Sequence, residues 1–168
     1  AGNYSTLSSD NGPNHVIVAN LQMGSSVDAE ADGQPSLPAD GDDTNGIPDD
    51  EDGLLNPAGD LILVVGAIPS VDVNVTNNTG SAAVLYGWID YDGNGVFSNA
   101  TERASIGVPN GTTASTVTLN FPVVPSGFAS KTYARFRLST NSAAQDPTGL
   151  ALDGEVEDYY FDNTPPFD

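Results

Sequence analysis

The sequence predicts an all-β protein, an immunoglobulin-like sandwich of two sheets, and three observations carry that expectation. From Leu61 onward, short apolar runs are broken every few residues by Gly, Pro, Asn or Ser, the punctuation of many short strands. "SVDVNVT" (70–76) alternates Val71, Val73 and Val75 with polar neighbours, as a half-buried strand does. Helical periodicity is sustained nowhere. At 168 residues the chain fits one domain of ordinary size, large enough to bury a core without disulfide staples.

Taken in order, "HVIVANL" near the N-terminus is the weakest strand candidate. It lies in an N-terminal segment, residues 1–53, that is set apart from a sandwich over 54–168. Residues 28–53, "DAEADGQPSLPADGDDTNGIPDDEDG", are dense in acids, Gly and Pro and nearly free of large apolar side chains. Such a stretch orders only with a ligand to offset its chain entropy. "LILVVGAI" (61–68) reads as a fully buried strand, followed by 70–76. "AVLYGWIDY" (83–91) is aromatic and β-branched, and Trp88 is the expected central core aromatic. "STVTLNF" (115–121) sets Val117, Leu119 and Phe121 on one face. "TYARFRLS" (132–139) sets Ala134, Phe136 and Leu138 against Tyr133, Arg135 and Arg137, and "EVEDYYF" (155–161) closes the set.

Charge narrows the function classes. Against 23 Asp+Glu stand only four Lys+Arg, a formal charge of -19. A phosphate backbone or an anionic bilayer would be repelled, so neither nucleic acid nor membrane is an expected partner. Self-repulsion of this size favours bound cations, and the acids are clustered rather than scattered. No apolar run is long enough to span a membrane. The chain has no cysteine, which removes thiolate metal sites and thiol nucleophiles. The opening "AGNYST" is compatible with a mature end left by signal cleavage.

The clusters have the spacing of a hard-cation site. In "DYDGNGVFSNATE" (90–102), Asp90, Asp92 and Asn94 alternate and Gly95 follows at the sixth position, where a calcium loop needs a sharp turn. Val96 offers its backbone carbonyl, and Phe97 matches the apolar eighth position. Glu102 comes one residue after the twelfth position, where a bidentate acid is expected. The loop follows a strand, so it is not an EF-hand; the bland alternative is a hairpin-type Asp-Gly turn. A second cluster offers Asp40, Asp42, Asn45, Asp49, Asp50 and Asp52, with unclear register, and the alternative there is a solvated acidic linker. Asp28 and Glu30 are lesser candidates. In "LDGEVEDYYF", Glu155, Glu157 and Asp158 either ligate calcium or pair with Arg135 and Arg137 on a neighbouring strand.

Catalysis is not expected. The acids sit in Gly-rich loops rather than across a cleft. The single His15 has no nucleophile motif beside it and reads as a structural residue at a strand start. Asn3, Asn74, Asn77, Asn99 and Asn110 begin N-x-Ser/Thr sequons, which in a glycosylating host mark surface loops.

"LDGEVEDYYF", preceded by "ARFRLST" and "GWIDYDGNGVF", resembles the GEVED domain of bacterial secreted and cell-surface proteins. Gly154-Glu155-Val156-Glu157-Asp158 is the naming motif as it stands here. Residues 14–53 resemble the segment that often precedes this domain. The resemblance implies a β-sandwich, export, calcium binding and a role at the cell surface or in the extracellular matrix, with no established catalytic activity. Related modules usually sit inside very long proteins, so this chain is expected to be an excised unit or a small subunit that assembles. The expected function is that of a secreted, calcium-binding structural or adhesive element. Its partners are other copies, as in a filament or tube joined by calcium and strand addition, or matrix components. The alternative is a calcium-dependent carbohydrate- or protein-binding module, for which Tyr86, Trp88, Tyr133 and Tyr159 are the aromatic candidates.

Overall fold

The computed structural model describes residues 4–27, Ala39 and residues 51–164. In chain order the strands are β1 (Asn14–His15), β2 (Leu21–Met23), β3 (Ser70–Asn77), β4 (Ala83–Ile89), β5 (Arg103–Val108), β6 (Thr112–Asn120), β7 (Lys131–Ser139), β8 (Leu150–Ala151) and β9 (Glu155–Asp162). They form a three-stranded sheet of order β2-β3-β6 and a four-stranded sheet of order β5-β4-β7-β9, both antiparallel. β1 and β8 make a small parallel pair. The chain is all-β, and the two larger sheets form a sandwich.

The core follows from the alternation. Val71, Val73 and Val75 on β3 are fully buried, as are Leu85 and Ile89 on β4 and Phe136 and Leu138 on β7. Each such aliphatic side chain contributes roughly 1.5–3 kcal/mol by leaving water. Phe136 is the central aromatic; its ring meets Phe121 and Tyr159 edge-on, with centroids 6.1 and 5.8 Å away. Gly87 makes room for this cluster, since a Cβ there would lie 2.8 Å from Phe121 Cζ and 3.0 Å from Phe136 Cε1. Residues from the N-terminal segment join in: Leu21 and Met23 on β2 are buried against β3.

Four expectations need correction. Residues 61–68 are not a strand. Leu61 and Leu63 are buried, but Ile62, Val64, Val65 and Ile68 are exposed. The chain turns at Gly66, whose φ of 79° suits glycine. It is held there by Gly66 N–H to Val124 O and Val124 N–H to Ala67 O, both 2.9 Å. Trp88 is buried but lies outside the core, because the inward positions of β4 are Ala83, Leu85, Gly87 and Ile89. Its indole N–H donates to Asn99 Oδ1 at 2.8 Å, and its ring stacks beside Tyr86. β5 was not expected, since "RASIGV" is short and contains Gly. Asn74 and Asn77 mark no surface loop, since both lie on β3; Asn77 is buried, with its amide donating to Ser81 O and Val108 O.

The outer face of the four-stranded sheet is also covered. Arg135 and Arg137 point there from β7 and are fully buried. Arg137 donates to the carbonyls of Asp146, Thr148 and Gly149 and, through Nε, to His15 Nε2 at 2.8 Å. His15 Nδ1 faces Asp153 O at 2.6 Å, so the ring is neutral with its proton on Nδ1. Burial, reinforced by the Arg137 charge, lowers the His15 pKa to about 4. Burial likewise lowers that of Arg137, to about 10.

Candidate metal centre

β4 delivers the centre. Its last core residue, Ile89, is followed by Asp90, whose amide still donates to Tyr133 O on β7 at 3.1 Å. The loop that follows curls back over the Asp90 carboxylate. Oδ1 accepts from Gly93 N–H (2.7 Å) and Asn94 N–H (3.3 Å), and Oδ2 accepts from Gly95 N–H (3.0 Å). Two left-handed glycines make the curl, Gly93 at φ 66° and Gly95 at φ 85°. Asp92 accepts from the backbone and side-chain nitrogens of Asn94, whose Oδ1 accepts from Val96 N–H.

The loop returns to the sheet at Glu102, one residue before β5. Glu102 is buried, and its carboxylate accepts from Tyr91 N–H (2.9 Å) and Ser98 N–H (2.7 Å). Burial raises its pKa to about 7, and the Asp90 and Asp92 charges push the same way. Asp90, Asp92 and Glu102 each offer an oxygen within 4.8 Å of the others. An ionised carboxylate has about four lone-pair sites, so oxygens that accept amide N–H groups still have capacity for a cation. The three acids could therefore hold a metal ion, and such an ion would offset the burial cost on Glu102.

An arm from the N-terminus closes the site. The Tyr4 hydroxyl donates to Asp90 Oδ2 at 2.8 Å, and its ring packs on Phe97 and Tyr133, with centroids 4.9 and 4.8 Å away. Arg135 lies over the other side of this group, its guanidinium carbon 5.1 Å from the Phe97 ring centre. Nothing in the local sequence announces Tyr4, which stands 86 residues from Asp90. The same is true of Thr132, whose hydroxyl donates to Asp90 O at 2.7 Å.

The other candidates are dispersed. Asn94 and Val96 lie on the exposed tip of the same loop. Asp52 accepts from Ser25 N–H at 3.0 Å. Asp28, Glu30, Asp40, Asp42, Asn45, Asp49 and Asp50 lie outside the described residues. On β9, Glu155 and Glu157 share the buried face with Tyr159. Glu155 Oε2 accepts from Met23 N–H at 2.6 Å, and Glu157 Oε2 accepts from the Tyr159 hydroxyl at 2.6 Å. Asp158 pairs with arginine, through a two-pronged bond to Arg135. Gly154 closes the turn into β9; its φ is 91°, and a Cβ would lie 1.8 Å from Leu138 O.

Of the four aromatics considered as a platform, Trp88 and Tyr159 are buried, and Tyr86 and Tyr133 are half-buried. Among the described residues, no helix is long and apolar enough to cross a membrane.

No curated protein and no solved structure matches the chain. Residues 14–53 lie upstream of the one stretch a family model matches, 84–162. That stretch runs from β4 through the acidic loop to the end of β9, and what it matches is the model of the GEVED domain.

Proposed function

We propose that this chain is a secreted, calcium-binding structural or adhesive element of the cell surface or extracellular matrix, able to assemble with other copies of itself. The observation that carries the reading is the Asp90–Asp92–Glu102 cluster, in which a buried glutamate with a raised pKa faces two further carboxylates. Calcium is favoured because every side-chain donor is oxygen and because Asp90, Asp92, Asn94 and Gly95 follow calcium-loop spacing. A Gly-rich loop of carboxylates and amide carbonyls suits its larger, irregular shell better than the strict octahedron of magnesium.

The cation's role in this reading is to fix the loop and lower the charge. A net charge of -19 keeps copies apart, and each bound divalent ion reduces it by two. The pairing of β2-β3-β6 with β5-β4-β7-β9 supports an immunoglobulin-like sandwich, with chain crossings between the sheets. Such a scaffold suits a building unit that carries its cation at a loop end.

Thermal melting with simultaneous light scattering, first in chelator and then in millimolar calcium, tests both halves. A higher melting temperature with growing scatter is expected. A higher melting temperature without added scatter would remove assembly driven by calcium and retain the cation. No change in either would overturn the reading.

A further inference from the structure

Among the described residues, the free edge of β6 is the one long sheet edge of this sandwich whose own strand carries no charge. β6 ends the three-stranded sheet, and it is nine residues long, "TTASTVTLN", with no charged side chain and no proline. Residues 104–130 around it carry no charge at all, in a chain of -19. The other edges are guarded. β9 carries Glu155, Glu157, Asp158 and Asp162, β5 is short and carries Arg103, and β2 has three residues. Natural sheets normally blunt a long edge with charge, proline or a bulge, because its unpaired backbone groups recruit another strand; the one register shift of β6 against β3 lies at Thr113–Ala114 and leaves residues 115–120 in regular pairing.

The register shows which groups face outward. Phe121 N–H donates to Pro69 O, so in an antiparallel ladder the odd-numbered residues 115–119 bond to β3. On the far side of β3, Asn74 N–H goes to Gly53 O, and Leu55 N–H goes to Asp72 O, as the same alternation requires. Thr116, Thr118 and Asn120 therefore direct their N–H and C=O groups away from the sheet. Their side chains are exposed, and the Thr118 hydroxyl donates to the carboxylate of Asp72, one strand inward, at 2.5 Å.

We infer that β6 pairs edge to edge with β6 of a second copy, antiparallel about a two-fold axis, to make one continuous six-stranded sheet. The charge distribution selects this occupant. A basic partner would be drawn to the acidic loops and would gain nothing from a neutral edge. A second acidic copy is repelled elsewhere and can approach here. In the register centred on Val117, two-fold antiparallel pairing places Thr116 of each copy opposite Thr118 of the other, a favourable cross-strand pair. The inference names the interface for the assembly half of the proposed function, and it is independent of the cation.

Sedimentation velocity on the full chain in chelator, across a concentration series, tests it without calcium. A reversible dimer is expected, and Thr116→Pro, which removes one outward donor from each copy, weakens association by roughly tenfold or more. Hydrogen exchange supplies a second reading: the amides of Thr116, Thr118 and Asn120 gain protection with concentration, while those of Val117 and Leu119 stay protected throughout. A chain that is monomeric at all concentrations, or a dimer whose even-numbered β6 amides exchange freely, overturns the inference. A calcium-dependent melt in a chain that stays monomeric would overturn β6 pairing alone. A dimer in chelator with no response to calcium would retain β6 pairing and remove the cation.

Discussion

Arg135 on β7 and Asp158 on β9 stand directly opposite one another in register and are joined by two parallel bonds, Nε to Oδ1 at 2.7 Å and Nη2 to Oδ2 at 2.6 Å. The guanidinium is fully buried, and Nη1 also donates to Tyr4 O and Pro147 O. One arginine thus ties the last residue of the GEVED motif to the arm that closes the metal centre. Asp158→Ala leaves that charge buried without its counter-ion, and a loss of about 3 kcal/mol is expected. Urea unfolding at neutral pH measures it. A loss under about 0.5 kcal/mol, the level of an exposed pair, would contradict this role.

Gly87 is set by core packing rather than by backbone conformation. Gly87→Ala would bring a methyl to 2.8 Å from Phe121 Cζ and 3.1 Å from Leu119 Cδ1. Destabilisation of about 1–3 kcal/mol is expected, read from the same unfolding curves. An unchanged midpoint would mean that the two sheets slide apart to accept it.

His15 makes the fold acid-sensitive. Its pKa is held near 4, below the ordinary 6.5, so between those values the unfolded chain binds a proton that the folded chain refuses. Its contribution is therefore present above pH 6.5 and is lost as pH falls towards 4, by at most about 3 kcal/mol. His15→Gln should flatten the fall in stability over that window. Parallel curves for the two proteins between pH 6.5 and 4 would contradict the neutral, arginine-bonded ring.

Glu102 acts with the opposite sign. Its pKa is raised from 4.5 to about 7, so the folded chain holds a proton that the unfolded chain has released. In chelator, stability falls as pH rises from 4.5 through 7, by at most about 3 kcal/mol. Glu102→Gln removes that fall and also removes the gain from calcium. Melting temperatures at pH 5 and 8, with and without calcium, separate the two effects. A variant that keeps the full calcium gain would place the ion elsewhere.

Much of this was legible because alternation reports directly on a strand with one wet face. Val71, Val73 and Val75 announced β3, and Asp90, Asp92, Asn94 and Gly95 announced a loop curled around one point. The failures have physical reasons. Residues 61–68 are apolar at every position, so nothing in the pattern shows that Ile62, Val64 and Val65 point outward. Trp88 is the aromatic expected at the centre of the core, whereas its place on β4 puts it on the opposite face, where Asn99 can take its N–H. Tyr4 reaches Asp90 only through the fold, and no local spacing encodes a contact over that distance.

The central claim is that a cation sits among Asp90, Asp92 and Glu102, and the amides that line those carboxylates report on it directly. Calcium should be titrated into the isotopically labelled chain, following the backbone resonances of Tyr91, Gly93, Gly95 and Ser98. Saturable shifts are expected at all four, and in a Glu102→Gln, Asp92→Asn variant they should vanish while the spectrum stays folded. If calcium leaves those four amides unmoved in the wild-type chain, the site is not a calcium site, and its acids serve only to shape the loop.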